Sequence, residues 1–406
     1  MVILNIHLRE LTDENRFTFT MTIVYDCIVI GAGIMGSATA LELLKRKKTV
    51  LLLEQFPLPH TRGSSHGSTR QIRHLYDKAI YIDMLPDAYK GWKELEQSEN
   101  VRLFLKTGGV MIGPEDSETL TKYKITITGH QNSKHCKIVK EGGKLFPQLS
   151  FPKNYLAIVD NEAGILFADK ALIAYRNQIT KLGGKIADNT RVSSIQPDDN
   201  LVRVQTNTGK EYFGRHLAMC CGPWSQKVLS LIGMTLPLTP RTIYYYFFKS
   251  KLPGLHSAHN GFPSMNMIDE KEDYYWAWPA FEYEDMIKCG WHTGPKSDPD
   301  HRDAVDAGDH LRKVMAYFAK YWPNITPEVC IKEACMYTST PDGDFIVDKH
   351  PHHDNIVFAT GFSGHGFKYA PVIGSILSDL LLNGSTHYDI TLFKASRFQQ
   401  KTKSKL

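Results

Sequence analysis

Cys27-Ile28-Val29-Ile30-Gly31-Ala32-Gly33-Ile34-Met35-Gly36 carries a run of apolar residues straight into a turn with three spaced glycines. A continuous apolar run of this length predicts a strand buried on both faces, as in a parallel sheet. Each glycine answers a different demand: Gly31 permits the tight bend, Gly33 lets the backbone approach a pyrophosphate, and Gly36 lets the following helix pack closely on the strand. Residues 37–45 are rich in Ala and Leu and continue as that helix, whose free N–H groups and positive dipole end would face the phosphates. Thr49-Val50-Leu51-Leu52-Leu53-Glu54 then gives a second buried strand that ends in an acid, close to the spacing of about 20 residues at which a carboxylate binds a ribose hydroxyl. Strand, turn, helix, strand and acid in this order predict a parallel βαβ unit that binds a dinucleotide. The acid disfavours NADP and leaves FAD and NAD open.

At 406 residues the chain is long enough for two domains, or for one large domain interrupted by a second. A net charge of +5 is small for this length and no dense Lys/Arg block falls on a helical face, which argues against a nucleic-acid partner and suits an anionic cofactor or substrate. The seven cysteines are scattered with no CxxC pair, a reduced-compartment pattern. No apolar run approaches the roughly 20 residues of a membrane span, so a soluble protein is expected. Residues 1–24 mix Arg9 and Arg16 with Glu10, Asp13 and Glu14, unlike an organelle presequence. They read as a loosely ordered extension in which Met21 is an alternative start. The chain ends in Ser404-Lys405-Leu406, an SKL tripeptide that reads as a peroxisomal import address.

Between these ends the character of the chain changes twice. Residues 166–182 have helical periodicity and stop at Gly183-Gly184, after which 185–195 are strand-like. Residues 242–249 and 273–293 are aromatic and strand-rich without helical period, which predicts an antiparallel sheet. Residues 355–361 return to a buried strand, and 371–382 form a helix with Pro371 near its first turn. The fold class expected is α/β with an α+β second domain. A Rossmann-like cofactor domain occupies 25–107, 163–240 and 334–390, an antiparallel-sheet substrate domain is inserted at 108–162 and 241–333, and 391–406 form a tail.

Three segments carry a family resemblance: Ser64-Ser65-His66-Gly67-Ser68-Thr69-Arg70-Gln71-Ile72-Arg73-His74, the stretch Cys335-Met336-Tyr337-Thr338-Ser339-Thr340-Pro341-Asp342-Gly343-Asp344, and Phe358-Ala359-Thr360-Gly361-Phe362-Ser363-Gly364-His365-Gly366-Phe367-Lys368. Together they resemble the monomeric sarcosine oxidase family, which includes peroxisomal sarcosine and L-pipecolate oxidases, within the D-amino-acid-oxidase superfamily. The resemblance runs from about Tyr25 to Leu382 and implies FAD rather than NAD. It further implies a thioether from Cys335 to the flavin 8α-methyl carbon, a carboxylate clamp of Arg73 and Lys368, Arg70 close to the flavin ring, and Lys288 as the cation that activates oxygen. His292, His365 and Tyr337 match pocket residues. The cofactor contacts expected on this basis are Gly31, Gly33, Ile34, Met35, Gly36, Glu54, Ser65, His66, Thr69, Arg70, Val192, Cys335, Gly364, Gly366 and Lys368.

The residues by themselves allow blander readings. Two arginines three apart suit a solvated helix face, Lys288 an edge strand, and Cys335 a buried structural thiol. His350, His352 and His353 read as surface, so no metal is expected. Independently of any family, the helix after Gly361, Gly364 and Gly366 can point its positive end at the flavin region where negative charge gathers on reduction, reinforced by Lys368. In Tyr274-Tyr275-Trp276-Ala277-Trp278-Pro279, Trp276 stands where the family carries a pocket tyrosine, and the turn before Lys288 is one residue longer. Tyr275 or Trp276 is therefore expected as the aromatic wall. The reaction expected is oxidation of a secondary amino acid to an imine, with O₂ reduced to H₂O₂, in a monomer of the peroxisomal matrix recognised by the import receptor. The substrate stays open among sarcosine, N-methyl amino acids, proline and pipecolate. A dehydrogenase serving a protein acceptor and a non-catalytic flavin-binding module are the alternatives.

Overall fold

The computed structural model describes residues 23–198 and 200–402; Met21 and the SKL tripeptide lie outside them. The strand Val24–Ile30, the helix Ile34–Lys45 and the strand Val50–Leu53 form the βαβ unit, with the two strands parallel and Ile30 beside Leu53. Lys185–Ala187 extends the sheet on the Val50–Leu53 side, and Glu211–Met219 followed by Ile356–Thr360 extends it on the other, all parallel. Alternation along these strands explains their unbroken apolar character. Val29, Leu52, Ala218 and Val357 face one core under the helices, while Ile28, Leu51, Leu217 and Ile356 face another on the opposite side.

A second, eight-stranded sheet runs in the order Ile325–Ser339, Thr239–Ser250, Met286–Trp291, Tyr274–Trp278, Ser264–Ile268, Gly109–Gly113, Leu156–Asp160, Cys136–Val139. It is antiparallel except where Ser264–Ile268 runs parallel to Gly109–Gly113, a crossing between chain segments that local sequence could not reveal. The period-2 rule sorts its aromatic run: Ile243, Tyr245 and Phe247 join Trp276 and Cys335 on one face, while Tyr244, Tyr246 and Phe248 join Tyr275 on the other. The helix Gly308–Tyr321 covers that second face with Val314, Tyr317, Phe318 and Tyr321.

Two expectations about element boundaries are corrected. Leu166 and Phe167 belong to the strand Gly164–Phe167, paired with Thr69–Ile72, and the helix starts after them at Ala168; helical period could not separate a short strand from the helix it leads into. Residues 185–195 are two strands, Lys185–Ala187 and Val192–Pro197, broken at Asn189 with φ 49°. The divisions at 240 and 333 fall inside the strands Thr239–Ser250 and Ile325–Ser339, which pair with each other over most of their length.

Candidate active site

Gly31 has φ 99°, its N–H donates to Leu53 O at 2.8 Å, and a Cβ on it would stand 2.4 Å from Cys220 O. A Cβ on Gly36 would stand 1.8 Å from Gly31 O, so helix and turn can meet only at glycine. Glu54 is buried and accepts from Ala32 N at 2.9 Å and Phe56 N at 3.1 Å, while Ser65 Oγ accepts from Ile34 N at 3.0 Å. Side chains thus already touch the N–H groups of the turn.

Beside the turn lies a cavity of about 930 Å³ lined by Gly31, Gly33, Ile34, Met35, Glu54, Ser65, His66, Arg70, Val192, Gly364 and Gly366. Its wall joins the glycine turn to the start of the C-terminal helix, so a single dinucleotide fits its size and touches both ends. Gly36, Thr69, Cys335 and Lys368 do not line it, although Met336 and Tyr337 do. A Cβ on Gly364, which has φ 83°, would come within 2.2 Å of the Tyr337 ring, which explains glycine there. Arg70 donates to the carbonyls of Thr69, Ser64 and His66, each at 2.7 Å, which fixes its guanidinium in the loop. Burial, then the nearby charges of Arg70 and Arg302, push His66 down to about 3, so its ring is neutral.

Arg73 is 6% exposed and stacks over Tyr76 at 4.6 Å. Its Nη2 donates to Tyr274 Oη at 3.3 Å, Tyr274 donates to Asn266 Oδ1 at 2.8 Å, Asn266 donates to Gln71 Oε1 at 3.1 Å, and Gln71 donates to Ser264 Oγ at 2.7 Å. This chain of bonds orients the guanidinium, yet Arg73 Nη1 is buried with no hydrogen-bond partner. Lys368 donates to Tyr76 Oη at 2.8 Å and to His365 O at 2.7 Å, and burial followed by Arg73 pushes it well below the usual lysine range. Among the described residues neither Arg73 nor Lys368 has a carboxylate partner. A buried guanidinium and a buried amine so placed favour an anion from outside the chain, which would also hold the amine in its charged form. His292, pushed down to about 4 by burial and then by Arg73, lies 3.4 Å from Tyr337 Oη. His365 lies 3.2 Å from Gly343 O and is held well below its ordinary range by burial and then by Lys368. The two rings are neutral and polar, not cationic.

Lys288 is 3% exposed on the strand Met286–Trp291, over the Tyr245 ring at 4.5 Å. It donates to Glu282 Oε1 at 2.8 Å and to Thr69 Oγ1 at 3.3 Å. Neither an edge position nor exposure describes it. Cys335 is buried with Tyr245, Phe247 and Trp276; burial raises its thiol pKa, with Arg70 and Lys288 pulling the other way.

Of the two residues expected for the aromatic wall, Tyr275 or Trp276, Tyr275 stacks on Tyr317 at 3.9 Å on the opposite face of the sheet. Trp276 lies on the Cys335 face, its ring tilted against Trp278 at 4.7 Å. The residue that reaches Arg73 is Tyr274, which sequence reasoning missed although it shares the alternation of Trp276. Tyr76 and Glu282 were also missed. So was Asp160, fully buried, which accepts from His74 N at 2.6 Å and so fixes the backbone next to Arg73; it lies 3.1 Å from His135 Nε2 and also accepts from Glu162 N and Ala163 N.

A family model described as FAD dependent oxidoreductase matches residues 26–380. The chain is 36% identical over 387 residues to peroxisomal sarcosine oxidase of Homo sapiens, covering 94% of this chain and 98% of that protein. It is 34% identical over 382 residues to monomeric sarcosine oxidase of Bacillus sp. (strain B-0618), covering 93% and 97%. Among solved structures it superposes on NikD, an unusual amino acid oxidase essential for nikkomycin biosynthesis, with a TM-score of 0.80 at 20% identity, covering 92% and 97%, a likeness of fold.

Proposed function

The chain belongs to the family of FAD-dependent oxidoreductases, and from that premise we propose that it is an oxidase of secondary amino acids, sarcosine or a related N-alkyl or cyclic amino acid. The observation that carries this reading is the buried Arg73 with its unpartnered Nη1, which shares Tyr76 with Lys368 and is linked through Tyr274 and His292 to Tyr337 of the cavity wall. Bound FAD supplies the two-electron acceptor. Arg73, whose planar fork suits a carboxylate, and Lys368 hold the substrate's acid group. Their positive field also disfavours an ammonium, so the amine is bound neutral beside the neutral rings of His292 and His365. The imine formed is hydrolysed by water after release, and no side chain is assigned as general base.

The finer assignments rest on the same placement. Lys288 provides the fixed cation that stabilises charge developing on O₂, which leaves as H₂O₂. Cys335, with Arg70 and Lys288 opposing the effect of burial on its thiol, is the attachment point of the flavin. The SKL end directs the protein to the peroxisomal matrix through the import receptor, and the protein acts as a monomer. The pieces around the parallel sheet form the cofactor domain, and the eight-stranded sheet forms the substrate domain. The deciding experiment is anaerobic mixing with sarcosine, N-methyl amino acids, proline and pipecolate, then admission of air with peroxide measured. Bleaching of the flavin band by at least one of them and stoichiometric peroxide are expected. No bleaching by any of them, or electrons delivered only to an artificial acceptor, overturns the proposal.

A further inference from the structure

Lys288 is not a bare cation, and its counterion comes from the loop that leads into its own strand. Glu282 sits between the strands Tyr274–Trp278 and Met286–Trp291, with its side chain 10% exposed while Tyr283 and Glu284 beside it are exposed. One carboxylate oxygen, Oε1, accepts both from Lys288 Nζ at 2.8 Å and from the Thr69 hydroxyl. The ammonium otherwise faces aromatic rings, Tyr245 at 4.5 Å and Phe247 at 5.5 Å. The other charged or titratable groups facing it are Arg70 on the strand Thr69–Ile72, His66 in the preceding loop, and Glu333 and Cys335 on the strand Ile325–Ser339. Glu282 is thus the one acid bonded to the ammonium among the described residues.

We propose that Glu282 is a positioning residue for the oxygen step: with Thr69 it clamps Lys288, holds the ammonium over the Tyr245 and Phe247 rings and keeps it charged. The inference rests on the assignment of Lys288 to oxygen activation. Burial alone lowers a lysine by up to about 3–5 pH units, and Lys288 is in fact displaced downward, with Glu282 opposing that displacement. A carboxylate that merely braced the loop would leave the titration of Lys288 where it is.

The test uses the purified holoenzyme and Glu282→Gln. Flavin reduced anaerobically is mixed with aerated buffer from pH 6 to pH 9, and the oxidised holoenzyme is titrated with sulfite, which adds at flavin N5 to give an anion and reads the same positive field without turnover. In Glu282→Gln, reoxidation is expected within about threefold of the native rate at pH 6, with its midpoint at least about one pH unit below the native midpoint. That displacement is roughly a tenfold loss of the charged form per unit above the midpoint. Sulfite affinity should fall along the same curve. Lys288→Met should reoxidise slowly with no such inflection, and the double variant should follow Lys288→Met.

Native and Glu282→Gln profiles that superimpose, in rate and in sulfite affinity, overturn the proposal. A native reoxidation rate in Lys288→Met overturns instead the assignment on which it rests. Should Glu282→Gln fail to fold, Thr69→Val removes the second group bonded to Oε1. Its midpoint should move in the same direction, and an unmoved midpoint also overturns the proposal.

Discussion

Lowering the pH from 7 to 5 should destabilise the fold through histidines that are kept neutral in it. His66 is pushed down to about 3, and His256 and His292 each to about 4, with burial as the largest cause in every case. In the unfolded chain each ring takes up its proton near pH 6.5, so below that value the unfolded state binds more protons and stability falls with pH. The contribution is present above about pH 6.5 and is lost as pH falls toward the folded values. At about 1.4 kcal/mol per pH unit per proton, integration from pH 7 to pH 5 gives about 2 kcal/mol for each histidine and about 6 kcal/mol for the three. With an unfolding entropy of about 2.1 cal/mol/K per residue over 406 residues, Tm should drop by about 7 °C. His310 and His365 are lowered too and act in the same direction, while ordinary carboxylates remain ionised over this range. Differential scanning calorimetry of the holoenzyme at constant ionic strength measures the drop, and His292→Gln should remove about a third of it. Equal Tm at pH 7 and pH 5, or a drop unchanged in His292→Gln, would refute the reasoning.

Arg73→Ala should raise KM by about 30-fold or more with Tm nearly unchanged, because truncating one partner of a buried charged pair costs about 2–5 kcal/mol; an unchanged KM removes Arg73 from the clamp. Gly36→Ala must separate helix from turn against a backbone atom 1.8 Å from the new Cβ, so a loss of about 3 kcal/mol or more and little bound FAD are expected, checked by urea melts and flavin absorbance. Flavin should stay with acid-precipitated native protein and be released from Cys335→Ser, whereas complete release from the native protein refutes the covalent link.

The βαβ unit was legible because every signal in it is local. Apolar run, glycines and terminal acid lie within one stretch, and each follows from sterics that act over a few residues. The surroundings of Arg73 and Lys288 were not legible in the same way. Arg73 and Tyr274 are 201 positions apart and Lys288 and Thr69 are 219 apart, so their pairing depends on how two sheets meet. Spacing on its own made Lys288 a plausible surface lysine. Only the placement of Met286–Trp291 inside the sheet, between Thr239–Ser250 and Tyr274–Trp278, buries it.

Register also decides what an aromatic run does, and here it separates the two residues expected for the aromatic wall, Tyr275 and Trp276. Tyr274, Tyr275 and Trp276 are adjacent, so alternation puts the first and third on one face and the second on the other. Which face meets Arg73 is set by Ile268, Met267 and Asn266 across the pair, and Asn266 takes the Tyr274 hydroxyl hydrogen at 2.8 Å. Because that hydrogen is committed to Asn266, Tyr274 offers Arg73 a lone pair rather than a competing donor, and the unpartnered Nη1 is left as the donor that a carboxylate can take. A carboxylate bound there meets a guanidinium already held in position, so little side-chain freedom remains to be lost on binding. On the proposed function, substrate choice would rest with the aromatic residues around Arg73, namely Tyr76, Tyr123 and Tyr274, because a carboxylate clamp alone would be satisfied by any α-amino acid.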